Sequence, residues 1–336
     1  MSEHNSQSVG LRRNRRLRYS ATLRDMLAEV HLQRDELIAP LFVRSGSGVK
    51  SEISSMPGQY QFSADTALET VRRWADRGLR AVLLFGVTDD KNKDDVGSFA
   101  WADNAPVQTL VREIKRVLPE MLVVADTCLC EYTSHGHCGP LKEYRDGCFD
   151  VDNDRAIEYL ARAAVSQSRA GADVVAPSAM MDNQVAAIRA SLDDAAMPRT
   201  AIMSYSVKFA SCMYGPFRDA AESPPKSGDR KTYQMDFRSP RQCMLELQED
   251  EEQGADIVMV KPAMTYLDIL SQVRANTSLP LAAYHVSGEY AQIKFAAQAG
   301  AINEKAAVIE AVSAIKRAGA DIIITYYAEN LANWLN

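Results

Sequence analysis

Eight short apolar runs, each parted from the next by longer stretches of helical pattern, constrain this chain more than any other feature of its sequence. The runs cover residues 37–43, 80–87, 121–128, 173–178, 200–206, 256–262, 280–286 and 321–327. They are rich in valine, isoleucine, leucine and aromatic residues, and short enough for strands buried on both faces. The intervening segments 66–77, 107–117, 155–169, 184–194, 241–252, 267–274, 290–298 and 304–317 are amphipathic. Strands alternating with helices build βα units and a parallel sheet. Three runs share a lead-in: Gly171-Ala172-Asp173, Gly254-Ala255-Asp256 and Gly319-Ala320-Asp321. A glycine there ends the preceding helix at positive φ, and its reuse points to repeated units. An open doubly wound sheet is the main competitor, but no Gly-rich dinucleotide fingerprint follows the first run. Eight units favour closure, so the expected fold is an α/β, (β/α)8 TIM barrel over residues 36–336, preceded by an N-terminal arm over 1–35.

The length of 336 residues fits one such barrel, which uses roughly 250 residues before insertions. A net charge of −6 argues against a general nucleic-acid binder. Arg12, Arg13, Arg15, Arg16 and Arg18 crowd the arm, which is open to reading as a transit peptide or a solvated tail. No apolar signal core accompanies it, and no run approaches the ~20 apolar residues of a membrane span. Six cysteines in a chain this long are not a disulfide scaffold, so a reducing, cytoplasmic location is expected. Cys212 reads as a small buried hydrophobe or loop residue.

Barrel active sites lie at the C-terminal ends of the strands. Reading those ends collects Asp126 and Cys128, Ser178, Lys208, Lys261, Tyr284, Ser287 and Tyr326. Lys261 closes a wholly apolar run, and Lys208 stands just past the neighbouring one. Adjacent strands lie about 4.8 Å apart, so both amines can enter one pocket. Two cations in a desolvated site lower each other's affinity for protons, and a neutral lysine attacks carbonyls to form a Schiff base. Two lysines holding a phosphate or sulfate is the alternative. Cys128, Cys130 and Cys138 offer three soft ligands for zinc, leaving a fourth position open for water or substrate. His135 and His137 are assigned hydrogen-bonding roles beside that cluster. Residues 213–240, with several prolines and glycines, read as a lid carrying Arg218 and Arg230, each able to fork onto a carboxylate. The acidic run 249–252 reads as a solvated helix face.

These residues sit in blocks that resemble the porphobilinogen synthase (5-aminolevulinate dehydratase) family along nearly the whole chain. The blocks are SMPG at 55–58, LFGV at 84–87, DTCLCEYTSHGHCG at 126–139 and APSAMMD at 176–182. YSVKFA at 205–210, YGPFR at 214–218, GDR at 228–230, GADIVMVKPAMTY at 254–266 and YHVSGE at 284–289 complete the set. The resemblance implies a hydro-lyase that condenses two 5-aminolevulinate molecules to porphobilinogen, on the route to tetrapyrroles such as heme. It assigns Lys261 the substrate supplying the propionate side and Lys208 the one supplying the acetate side, with Asp126 orienting or handling protons. Arg218, Arg230 and Gln234 would hold one carboxylate, and Ser287 and Tyr326 the other, with Ser178 and Tyr284 also lining the pocket. All three cysteines are kept, which implies the zinc-dependent type with one Zn2+ per active site. Thr232 stands where some relatives carry a further cysteine, so no second zinc is expected there. Glu246 matches a position that binds an allosteric Mg2+ in part of the family; an exposed helical glutamate is the bland alternative. The arm resembles an extension that wraps a neighbouring subunit in a homo-octamer. Two competitors stand beside this reading: a metal-free, class I aldolase-type Schiff-base enzyme, which the cysteines disfavour, and a non-enzymatic zinc-binding protein, which leaves the lysines unexplained.

Overall fold

The structure, a computed structural model, describes residues 13–144 and 147–335. Eight parallel strands form the barrel: β1 (Leu37–Arg44), β2 (Ala81–Val87), β3 (Leu122–Thr127), β4 (Val174–Pro177), β5 (Ala201–Lys208), β6 (Ile257–Lys261), β7 (Leu281–His285) and β8 (Ile322–Thr325). Each pairs with its neighbours in chain order, and β8 returns to β1 through Leu37↔Ile323 and Ile38↔Ile324, which closes the ring. Nearly every strand residue is buried, because the barrel interior packs one face and the surrounding helices cover the other. Lys208 lies inside β5 rather than just past it, since the strand continues two residues beyond the apolar run.

The repeated Gly-Ala-Asp lead-in has a second purpose beyond its turn. Gly171 and Gly319 take φ of +109° and +121° at the ends of their helices, as the turn requires. The aspartate that follows then clasps the strand before it. Asp173 Oδ2 accepts from Val123 N at 2.8 Å, Asp256 Oδ2 from Ile202 N at 2.8 Å, and Asp321 Oδ2 from Leu281 N at 2.9 Å. The backbone N–H groups of the same three aspartates donate back to Val123, Ile202 and Leu281. Each clasp ties an even-numbered strand to its odd-numbered predecessor at the end of the barrel opposite the candidate site.

The C-terminal end of the barrel, where the candidate site lies, is lined with aromatic rings. Phe42 stacks against Phe85 at 5.6 Å and Tyr326 at 6.1 Å, and Tyr284 lies 6.1 Å from Tyr326 and 6.4 Å from Tyr205. A hairpin of Lys50–Glu52 and Tyr60–Phe62 extends the sheet beside β1, and a second hairpin joins Leu141–Glu143 to Phe149–Val151. Neither stood out in the sequence, since three-residue strands show too little alternation to register.

Residues through His31 and residues from Leu32 onward form separate compact units. In the first, Asn14–Arg18 and Ala21–Met26 are short helices without a buried residue, and Ser20 caps the second by accepting from Leu23 N at 3.2 Å. Arg12 of the basic cluster lies outside the described residues. Among the described residues no helix is long and apolar enough to cross a membrane.

Candidate active site

Register brings the two lysines together. Lys208 and Lys261 are direct partners across β5 and β6, and both are 5% exposed. Lys261 Nζ sits 4.4 Å from the ring centre of Tyr284, 4.8 Å from Tyr205, and 5.2 Å from both Tyr214 and Phe217. Those faces attract a cation, yet they displace water. Burial dominates and pulls Lys261 down to about 7, with the charge on Lys208 adding to the effect and Asp126 opposing it. Lys208 Nζ donates to the Ser178 carbonyl.

Asp126, at the end of β3, completes a triangle with the lysines. Ser178 Oγ donates to its Oδ2 at 3.1 Å, and Gln167 Nε2 donates to its backbone carbonyl at 2.8 Å. Burial pushes the carboxyl up to about 6 against the pull of Lys261 and Lys208. The buried Tyr205 hydroxyl approaches this carboxyl, and neither it nor Asp126 Oδ1 has a further partner among the described residues. An acid poised near neutrality beside a buried hydroxyl is suited to moving protons for the adjacent amines.

The chain leaves β3 directly into the thiol loop. The sulfurs of Cys128, Cys130 and Cys138 all lie within 4.8 Å of one another and all three residues are buried. Cys128 and Cys130 are 3.3 Å apart. Tetrahedral zinc with Zn–S near 2.3 Å sets its sulfurs roughly 3.8 Å apart, so the cluster fits a three-thiolate site. Hydrogen bonds from the two other thiols, then the charges of Arg230 and Lys208, hold Cys138 well below the usual thiol range, whereas burial drives Cys128 up. Buried Glu131 approaches Cys130 Sγ at 3.3 Å, a neighbour the sequence did not single out.

The lid lies against this site. It starts with the helix Gly215–Ala220, which presents Phe217 to Lys261, and runs without helix or strand to Gln242. Arg230 is buried rather than a solvated loop arginine; its Nη2 donates to Gly136 O at 2.8 Å and Ser223 O at 2.7 Å. The Nε atoms of Arg218 and Arg230 and both amide atoms of Gln234 are buried without partners among the described residues. Such atoms are costly unless a ligand satisfies them. Arg218, Arg230 and Gln234 line a cleft of about 610 Å³ with Ser211, Cys212 and Tyr266. Neither lysine lines that cleft. Cys212 is exposed at its edge at the start of a 3-10 helix, which fits the loop-residue alternative rather than the buried one.

Ser287 and Tyr326 stand on the other side of Lys261. Tyr326 shares a 3.1 Å hydroxyl contact with Tyr284. Ser287 Oγ donates to Met213 O at 3.1 Å and accepts from Phe217 N at 3.0 Å, so its hydroxyl is occupied in tethering the start of the lid. Glu246 is remote from the lysines and half-buried. It borders a cleft of about 340 Å³ with Asp150, Asp182 and Asp236, and burial followed by neighbouring carboxylates pushes it up to about 7. Among the described residues the three cysteines are the one group of three or more metal-ligating side chains that gathers closely, so Glu246 brings no such set with it. The acidic run is not wholly solvated either: Asp250 Oδ2 accepts from Ser204 Oγ at 2.5 Å. The sequence missed Tyr205, Tyr214 and Phe217, whose proximity to Lys261 arises from chain segments far apart in sequence.

A closed barrel whose mouth unites two buried amines, a near-neutral carboxyl and a thiol cluster defines an α/β-barrel enzyme with a lid over its pocket. The family model described as delta-aminolevulinic acid dehydratase matches residues 11–334, and the chain belongs to that family. A relative of this name from Halalkalibacterium halodurans is 49% identical over 330 residues, covering 98% of each chain. One from Synechococcus elongatus is 51% identical over 323 residues, covering 96% of this chain and 98% of its own. The solved delta-aminolevulinic acid dehydratase (porphobilinogen synthase) of Toxoplasma gondii, in complex with the reaction product porphobilinogen, superposes with a TM-score of 0.93 at 41% identity. That alignment covers 96% of this chain and 91% of the other.

Proposed function

We propose that this enzyme condenses two 5-aminolevulinate molecules to one porphobilinogen and two waters, through Schiff bases on Lys261 and Lys208. The observation that carries the reading is the juxtaposition of the two buried amines, with Lys261 brought down to about 7. The neutral Lys261 amine adds to the ketone of one substrate; loss of hydroxide, assisted by a proton from Asp126, leaves an iminium. The iminium draws electrons from the neighbouring carbon and acidifies its protons, which a deprotonated Asp126 is placed to accept. Lys208 takes the second substrate in the same way, and Ser178 keeps the Asp126 carboxyl oriented between them.

Two carboxylates must also be held. Arg218, Arg230 and Gln234 hold that of the substrate on Lys208, and their unpartnered atoms support this role. Tyr326, with Ser287 and Tyr284, holds that of the substrate on Lys261. Cys128, Cys130 and Cys138 hold one Zn2+, which supplies Lewis acidity at the second substrate when bound. Glu246 would supply a carboxylate to an allosteric Mg2+, an ion that usually keeps several of its waters. The arm, which carries exposed Leu17, Tyr19, Met26 and Leu27, covers a neighbouring copy in an octamer. A reducing cytoplasm suits the free thiols.

The test is incubation with 5-aminolevulinate, with and without a zinc chelator, followed by detection of porphobilinogen and by borohydride trapping. Product and substrate adducts on Lys261 and Lys208 are expected. No product from the zinc-loaded protein overturns the reading.

A further inference from the structure

The middle of the lid hangs from the thiol loop. At its far end Met235 is anchored to the active-site strand, since its N–H donates to Lys208 O at 3.2 Å and its carbonyl accepts from Ala210 N at 2.8 Å. Between Ser223 and Tyr233, however, most contacts run to residues 135–137, with Thr232 Oγ1 also donating to Asp150 Oδ1 at 2.8 Å. Lys226 N donates to His135 O at 3.0 Å, and Arg230 Nη2 to Gly136 O at 2.8 Å. His137, 6% exposed, spends both ring nitrogens on the lid: Nε2 lies 2.9 Å from Ser227 O and Nδ1 3.1 Å from the Tyr233 hydroxyl. The Ser227 carbonyl requires a proton on Nε2, and Nδ1 meets the Tyr233 hydroxyl, which can donate or accept. The fit leaves no slack at Gly136. A Cβ there would stand 2.4 Å from Pro224 O, so lid backbone lies directly on loop backbone. On its other side the loop closes on itself through Thr133 Oγ1 donating to His137 O at 2.8 Å, and is tied to the segment after β2 by Ser134 N donating to Asp94 O at 2.8 Å.

Cys138 is the next residue along this loop. A metal drawing the three sulfurs together fixes the position of Cys138, and with it the backbone of 135–137. We infer that His137 is a positioning residue that couples the thiol metal site to closure of the lid, so that metal occupancy sets how firmly Arg230 and Gln234 are presented to a substrate carboxylate. The inference rests on the proposed roles of the thiols and lid residues. It gives the metal a mechanical consequence separate from its chemistry: emptying the cluster loosens a lid segment that has no helix or strand of its own. Binding energy then goes into ordering that segment, and the affinity for the second substrate falls.

Hydrogen–deuterium exchange of peptides spanning residues 223–234 tests this in the full-length protein. In the zinc-loaded parent these amides exchange slowly, and chelation accelerates them about tenfold or more, as expected when one or two net hydrogen bonds are lost. His137→Ala with zinc present exchanges like the stripped parent, while metal analysis still finds its zinc bound. Its KM rises about tenfold with a smaller fall in kcat, and His137→Gln, which both donates and accepts, recovers much of the protection. Equal lid exchange in loaded and stripped parent overturns the inference, as does a protected lid in His137→Ala. Loss of zinc from His137→Ala also overturns it, because the residue then acts in metal retention. If His137→Ala does not fold, Tyr233→Phe removes one of the two ring contacts along with a hydrogen bond to Cys138, and is read by the same exchange measurement beside its zinc content. A parent that makes no porphobilinogen refutes the proposed function, while exchange and zinc content still judge the coupling.

Discussion

Lys261 illustrates how a residue acquires chemistry from its surroundings. An exposed lysine titrates near 10.4 and is almost wholly protonated at neutral pH. Four aromatic neighbours and a second amine bring Lys261 to about 7, so its neutral fraction climbs steeply between pH 6 and 8. The sign follows from the depressed value: the proton leaves as pH rises, and the nucleophile appears with it. Cyanoborohydride trapping of the first substrate is therefore expected to accelerate about tenfold from pH 6 to 7.5 and then level off. Lys261→Ala is expected to lose essentially all turnover, since substrate anchoring and the electron sink vanish together. Appreciable product from that variant removes Lys261 from the mechanism. The identity of Lys261 was legible in the sequence, at the tip of an apolar run. Its aromatic cage was not, because Tyr205, Tyr214, Phe217 and Tyr284 come from three different parts of the barrel mouth.

At the scale of elements, we propose that the lid and the residues just past the last two strands share the work of holding the two carboxylates. Charge-assisted hydrogen bonds from arginine contribute about 1.5–3 kcal/mol each, against about 1 for neutral hydroxyls. Arg218→Ala and Arg230→Ala are expected to weaken the second binding step roughly ten- to hundredfold and the first much less. Tyr326→Phe is expected to slow loading of Lys261 instead. Single-turnover formation of the first Schiff base separates the two, and a block of that step in Arg218→Ala reverses the division of the pocket. Ser287 has a double consequence, because its hydroxyl already tethers Met213 and Phe217 at the start of the lid. Strand and helix positions were legible from periodicity to within a few residues. Burial of Arg230 was not, since a loop without periodicity says nothing of what it packs against.

For the whole molecule, the proposed zinc and the proposed assembly are the variables to vary. Chelation is expected to abolish turnover and lower the thermal stability, because a ligand bound only to the folded state stabilises it by mass action. Zinc should restore both. Thiophilic lead should displace zinc and inhibit, in keeping with soft thiolate ligands; full recovery with Mg2+ alone contradicts the zinc assignment. Deleting residues through Arg18 is expected to shift the protein to smaller assemblies with lower activity, measured by light scattering beside steady-state rates. An unchanged size assigns the basic arm to the solvated-tail reading.

The sequence by itself determined the barrel and the order of its eight strands, and it named the lysines, cysteines and lid arginines proposed as site residues. These are set by local patterns: burial on both faces of a strand, helical spacing, and functional groups at strand ends. Three things were decided only by tertiary structure. The Asp173, Asp256 and Asp321 clasps need a strand from the preceding βα unit to supply the N–H. The depressed Lys261 amine needs desolvation by rings from β5, β7 and the lid. The seam between His137 and the lid joins residues about ninety positions apart. In each case the energy lies in a contact between distant segments, and no pattern within one segment encodes which partner the closed chain will bring to it.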